Sequence, residues 1–184
     1  MLPDNCIFSF HFLLDSKKTG YYSCGEKWGK VGNGKEPVFR GSFEHSIDDK
    51  GRVNIPVSFR KVLLGLQDDR LVVTKSFLNS FRCLDVYPQA EWEKLEQALI
   101  DKPRFDDTLA KFEAFYLSNA HECSVDKQGR ILLPPMLREY AALQKDAVFT
   151  SSLKKFRIWD KVTWQRFNEV SEKDLPNIFS NVNV

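Results

Sequence analysis

Two arginines, Arg52 and Arg130, each stand four residues after an aspartate, across a glycine-containing turn. The first stretch is Asp48-Asp49-Lys50-Gly51-Arg52 and the second is Asp126-Lys127-Gln128-Gly129-Arg130. A carboxylate at that spacing can steer the guanidinium by a bidentate pair, or fix the turn by bonding its own downstream backbone. A planar guanidinium so presented suits phosphate oxygens or the O6/N7 edge of guanine. Lys50, Lys127 and Asn54 are further donors nearby. The plainer alternative is that Asp-x-x-Gly-Arg closes a hairpin and the arginine only covers the sheet, since surface ion pairs are common and weak. Repetition tips the balance, because packing alone does not require the same surface charge twice.

The two turns belong to an internal repeat, and a repeat constrains the architecture before any single residue does. Residues 46–60 and 124–138 align at a constant offset of 78, with six of fifteen positions identical. These are Ser46/Ser124, Asp48/Asp126, Gly51/Gly129, Arg52/Arg130, Pro56/Pro134 and Arg60/Arg138. Downstream the offset shortens and drifts, and Thr74, Phe81, Arg82 and Trp92 are matched by Thr150, Phe156, Arg157 and Trp164. Two copies are too few for a solenoid. Duplication, with the halves packed together as a pseudo-dimer, is the simpler reading.

Each half must then supply strand, turn, strand, short helix, strand, turn, strand and helix. Phe43, His45 and Ile47 share one face of a strand, and Val53 and Ile55 share one face of the next, with Arg52 and Asn54 opposite. Gly51 and Gly129 accept the positive φ such turns use. Pro56 opens a helix over Ser58–Leu64, with Gly65 as its C-cap. Strands are expected over 70–74 and 81–86. A helix over 89–100 carries Trp92, Leu95 and Leu99 on one stripe. A second helix, over 107–118, turns Leu109, Phe112, Phe115 and Tyr116 to the core. The second half repeats the order: a strand ending at Val125, a strand over 130–133, a helix from Pro134-Pro135 to about Leu143, strands over 147–150 and 157–159, and a helix from Lys161 to about Val170.

Composition narrows the class. Of 184 residues, 42% are hydrophobic and 28% charged, as in an ordinary soluble globular protein. No apolar run approaches the ~20 residues of a membrane span, so no membrane association is expected. The cysteines Cys6, Cys24, Cys83 and Cys123 are scattered and fit neither a disulfide framework nor a zinc site, which points to the cytoplasm. The net charge is only +2, so a nucleic-acid binder of this composition must concentrate its cations on one face or multiply them by oligomerisation. An enzyme is the main rival class: His45 and Cys123 occupy equivalent repeat positions, and with His121 and Glu122 they could form a metal or nucleophile site. Ordinary strand alternation explains these residues better. No catalytic residue, metal ligand or cofactor is therefore assigned. The second rival is a protein-interaction module that uses Phe105, Phe112, Phe115 and Tyr116 as a partner face.

Val38-Phe39-Arg40-Gly41-Ser42-Phe43-Glu44-His45, followed by Asp48-Asp49-Lys50-Gly51-Arg52-Val53-Asn54-Ile55-Pro56, resembles the opening of MraZ proteins. Asp126-Lys127-Gln128-Gly129-Arg130, followed by Ile131-Leu132-Leu133-Pro134, resembles that family's second Asp-x-x-x-Arg signature. The resemblance runs over about residues 38–170. It implies an α+β fold: duplicated AbrB-type swapped-hairpin β-barrel halves forming a pseudo-dimer, with flanking helices. The expected divisions are an N-terminal extension over 1–37, SpoVT-AbrB domains over 42–88 and 118–161, connecting helices over 89–117, and a C-terminal helix and tail over 162–184. It also implies a nucleoid-associated transcriptional regulator that binds double-stranded DNA at repeated G-rich boxes upstream of the division and cell-wall gene cluster, and that assembles into a ring-shaped homo-oligomer. By position, Asp48, Arg52, Asp126 and Arg130 carry the signature. Residues 1–37 depart from the family, whose members usually begin with Met where Val38 stands. The reading adopted is an over-extended gene start; the alternative is a basic arm using Lys17, Lys18, Lys27, Lys30 and Lys35.

Overall fold

The computed structural model describes residues 37–102 and 107–182. The extension over 1–37 therefore lies almost wholly outside the described residues, as does Phe105. The first half runs β1 (Ser42–Ser46), β2 (Arg52–Asn54), α1 (Val57–Leu66), β3 (Arg70–Leu78), β4 (Phe81–Pro88) and α2 (Gln89–Ile100). The connecting helix α3 (Asp107–Phe112) continues into a π-helical turn, Glu113–Leu117. The second half runs β5 (His121–Ser124), β6 (Arg130–Leu132), α4 (Pro135–Tyr140), β7 (Asp146–Ser152), β8 (Lys155–Asp160) and α5 (Lys161–Val182).

The strands of each opening hairpin pair with the other half. β1 lies against β7, β5 against β3, and β2 against β6, all antiparallel. The six-stranded sheet has the order β1-β7-β8-β4-β3-β5, with β2-β6 as a separate two-stranded ribbon. Exchanging the halves maps both orders onto themselves, so a pseudo-twofold axis passes between β4 and β8 and through the ribbon. This is an α+β fold of two duplicated, swapped, barrel-like halves.

The core is symmetric because the repeat is. Val53 and Ile55 point inward from one ribbon strand, and Ile131 and Leu133 from the other, all at most 1% exposed. Phe59 and Leu63 close the barrel from α1, and Leu137 and Ala141 close it from α4. Leu71, Val73, Leu84 and Val86 meet Ala147, Phe149, Phe156 and Ile158 between them. Each fully buried side chain of this size contributes about 1.5–3 kcal/mol relative to exposure. The outer face of the sheet is covered twice. Trp92 of α2 and Tyr116 of the π turn pack on Val72, while Trp164 and Phe167 of α5 pack on Cys83, Val148 and Trp159.

Registry corrects the alignment of the closing strands. Thr74 faces Asp85 in one half, and Thr150 faces Arg157 in the other. Arg157 is therefore the counterpart of Asp85, not of Arg82. The β3–β4 hairpin is the longer of the two, which is why the offset drifts. Asp85 and Arg157 also face each other across the axis. A homodimer would place two identical side chains there; a duplicated chain can place opposite charges.

Four helix expectations change, the shortest shift being in α4, which ends at Tyr140 rather than near Leu143. Gly65 lies inside α1, and the chain turns out at Gln67, in the left-handed conformation at φ 54°. The Gln67 and Asp68 N–H groups donate to the Leu64 and Leu63 carbonyls and so close a helix two residues longer, at the roughly 1 kcal/mol a helical glycine costs. Phe112 is 37% exposed rather than in the core, because the π turn widens the helix and brings Tyr116 inward instead. The last helix runs to Val182, not Val170. Its apolar spacing continues through Leu175, Ile178 and Phe179 after a polar interruption.

Candidate nucleic-acid interface

Each Asp of the repeated motif does both things its spacing allows. Asp48 Oδ1 accepts the backbone N–H groups of Lys50 and Arg52 at 3.0 and 2.9 Å. Its Oδ2 accepts Arg52 Nε and Nη2, both at 2.7 Å. Asp126 repeats the pattern: Oδ1 takes Gln128 and Arg130 N–H at 2.9 Å each, and Oδ2 takes Arg130 Nε at 2.9 Å and Nη2 at 2.7 Å. One oxygen thus shapes the turn while the other aims the guanidinium, leaving Nη1 for an external acceptor. Gly51 at φ 82° and Gly129 at φ 79° close these turns, donating to the Asp48 and Asp126 carbonyls.

These bonds hold both carboxyls below the ordinary aspartate value. For Asp48 and Asp126 alike the arginine side-chain bond is the largest cause, and Asp126 is brought down to about 2. A depressed folded-state value means the pairing is fully present above the ordinary range and lost only as pH falls through the depressed value. A carbon-detected NMR titration should therefore show the Asp126 carboxyl midpoint near 2, with the Arg130 Nε resonance unchanged from pH 8 down to 4. An Asp126 midpoint at the ordinary aspartate value would refute the paired geometry.

The ribbon brings the two motifs together. Arg52 faces Leu132, Val53 faces Ile131, and Asn54 faces Arg130. Val53 and Ile131 point into the barrel, so Arg52, Asn54, Arg130 and Leu132 share the outer face. Lys50 and Lys127 stand exposed on the turns beside it. The strand ends interlock as well: Ile55 N–H donates to the Gly129 carbonyl at 2.9 Å, and Leu133 N–H to the Gly51 carbonyl at 3.0 Å.

Arg60 and Arg138 were not among the expected site residues, yet each covers the other half's turn. A Cβ on Gly129 would lie 2.3 Å from Arg60 Nη1, and one on Gly51 would lie 2.7 Å from Arg138 Nε. Both turn glycines are buried beneath these side chains. The signal was present in the sequence, since the two arginines are among the six identities, but spacing does not reveal that each reaches across to the opposite copy.

The rival site is not assembled. His45 lies on β1 and His121, Glu122 and Cys123 on β5, the two terminal strands of the sheet order. The His45 ring packs edge-on against Phe149, and burial followed by the Arg60 charge lowers its pKa. Burial raises the Cys123 thiol to about 11 and, with the Asp85 carboxylate, the Cys83 thiol to about 12, which leaves both poor nucleophiles at neutral pH. Among the described residues, no group of three His, Cys, Asp or Glu side chains could hold a metal, and no helix is long and apolar enough to cross a membrane.

Fold and site together define a class: a duplicated swapped-hairpin barrel that carries an Asp-steered arginine on each of two symmetry-related turns. The family model described as "MraZ protein, putative antitoxin-like" matches residues 38–114 and 116–181. The chain is 43% identical over 145 residues to "Transcriptional regulator MraZ" of Desulforamulus reducens, covering 79% of this chain and 97% of that protein. It is 42% identical over 141 residues to the protein of that name from Natranaerobius thermophilus, covering 77% and 94%. It is 39% identical over 150 residues to the one from Caldanaerobacter subterraneus subsp. tengcongensis, covering 80% and 100%. The chain belongs to the MraZ family.

Proposed function

We propose that this protein is a sequence-specific DNA-binding transcriptional regulator and not an enzyme. It acts on its own operon in the division and cell-wall gene cluster through repeated G-rich boxes, in the cytoplasm at the nucleoid. Arg52 and Arg130 contact bases or phosphates from the ribbon. Lys50, Lys127 and Asn54 add contacts. Asp48, Asp126, Gly51 and Gly129 hold the turns. The observation that carries this reading is the pair of Asp-fixed guanidiniums on the outer face of one ribbon, keeping 34% and 23% of their side-chain surface, because a two-stranded β-ribbon fits the major groove. The names of the relatives support it. The divisions at 42–88, 89–117, 118–161 and 162–184 follow the same reading. A ring-shaped homo-oligomer supplies what a net charge of +2 does not: many arginines acting together on one duplex.

Gel shifts on the duplex upstream of its own gene test this. Arg52→Ala and Arg130→Ala should each leave the fold intact and weaken binding by about 1–3 kcal/mol where a base contact is lost. Where a phosphate contact is lost, the salt slope should fall by roughly 0.9 instead. Unchanged affinity with both arginines removed would sink the proposal. The antitoxin-like wording of the family description favours a second reading, a protein-interaction module. That reading expects no retarded duplex at low salt.

A further inference from the structure

The two ends of the ribbon are not equivalent, although the axis relates them. Positions 54 and 132 correspond under the repeat, yet one is asparagine and the other leucine. The register seats Leu132 beside Arg52 and Asn54 beside Arg130. Leu132 is 57% exposed, while the adjoining Ile131 is 1% exposed, so this large apolar side chain stands outward among guanidiniums instead of filling the core. Facing residues on an antiparallel ladder lie about 4.5–5.5 Å apart at Cβ, close enough to address neighbouring base pairs. Leucine can offer a thymine only contact with its C5-methyl group, whereas asparagine can take the N6/N7 edge of adenine in two hydrogen bonds.

We infer that Leu132 and Asn54 determine specificity, so that Arg52 with Leu132 reads guanine next to thymine and Arg130 with Asn54 reads guanine next to adenine. This rests on the DNA-binding reading above. It makes a single subunit direction-sensing on DNA: an exact repeat would read a palindrome, and divergence at this outward ribbon position, beside the turn differences Asp49/Lys127 and Lys50/Gln128, breaks it. The identities of the repeat keep the Asp, Gly and Arg of each turn alike, so the side chain facing each guanidinium on the ribbon differs while the guanidinium's own fixing does not.

Selection of the full-length protein against a pool of random duplexes, followed by single thymine-to-deoxyuridine replacements in the winning duplex, tests the assignment. Deoxyuridine lacks only the methyl group. One replacement should weaken wild-type binding roughly fourfold, the worth of one buried methyl. That replacement should have no effect on Leu132→Ala, which already lacks the contact. Leu132→Asn should select adenine at that position and turn the site symmetric. If wild-type binding ignores every replacement and Leu132→Asn selects the wild-type site, while binding still requires Arg52 and Arg130, the specificity assignment is wrong and the DNA-binding reading stands. If no duplex is retained at low salt, both fall.

Discussion

Asp85→Leu should lower folding stability by about 3 kcal/mol, the lower end of what breaking a buried ion pair costs. Asp85 is 1% exposed on the outer face of the sheet, next to the pseudo-twofold axis. Its Oδ2 accepts Lys155 Nζ and Tyr116 OH, each at 2.6 Å, and its Oδ1 accepts Arg157 Nε at 2.9 Å. Leucine removes the one carboxylate that these cations are paired with among the described residues and leaves two positive groups beside each other. The lower end applies because Lys155 and Arg157 keep 19% and 20% of their side-chain surface and can reach some water. Lys155 also keeps its 2.7 Å bond to Tyr87 OH. Urea denaturation should show a lower midpoint with an unchanged slope. Hydrogen exchange should quicken in the π turn over 113–117, since Tyr116 OH loses its 2.6 Å carboxylate acceptor and keeps only the 3.0 Å bond with Tyr87 OH. Adding Lys155→Met and Arg157→Leu should recover most of the loss, because an apolar set of similar volume replaces a buried ion cluster at little net cost. A single variant within 0.5 kcal/mol of wild type would mean the cluster carries no net stability.

Gly129→Val should be nearly as damaging, and should also reduce DNA binding. At φ 79° a left-handed backbone costs an ordinary residue about 1–2 kcal/mol, and a β-branched one more. Its Cβ would also occupy the space of Arg60 Nη1, 2.3 Å away, so Arg60 must leave the turn it covers. Together these put the expected loss at about 3 kcal/mol, large among single substitutions and tied to a named mechanism. The two parts separate in a cycle with Gly129→Ala and Arg60→Ala. The double variant should regain the steric part and keep the backbone part. A Gly129→Ala cost that is the same with and without Arg60 would show that the arginine yields freely. Gly51 and Arg138 should behave alike, because the axis exchanges the two pairs.

Much of this was legible in the chain. Asp48, Gly51 and Arg52 announce a tight turn that feeds a guanidinium, and their recurrence 78 residues later announces two such turns in one molecule. Alternation around Val53 and Ile131 decides which side chains face inward. The resemblance to MraZ proteins is carried by those same short stretches. What stayed hidden depends on partners far apart in sequence. Arg60 meets Gly129, and Asp85 meets Arg157, only after strands have exchanged between halves. Gly65 reads as a stop signal because local propensity favours one, but Gln67 takes the left-handed conformation and its N–H closes the helix instead. The drift in offset put Arg82 opposite Arg157, since nothing in the residues marks how long each hairpin is.

By itself, then, the sequence determined the duplication, the turn chemistry and the inward and outward faces, because each depends on a side chain and neighbours within a few residues of it. Only the tertiary structure decided that each turn is roofed by the opposite copy's arginine, that unlike charges meet near the axis, and that leucine and asparagine stand beside different guanidiniums. Those contacts are set by strand order and register across the whole barrel, which the cooperative burial of both halves fixes and no local spacing encodes.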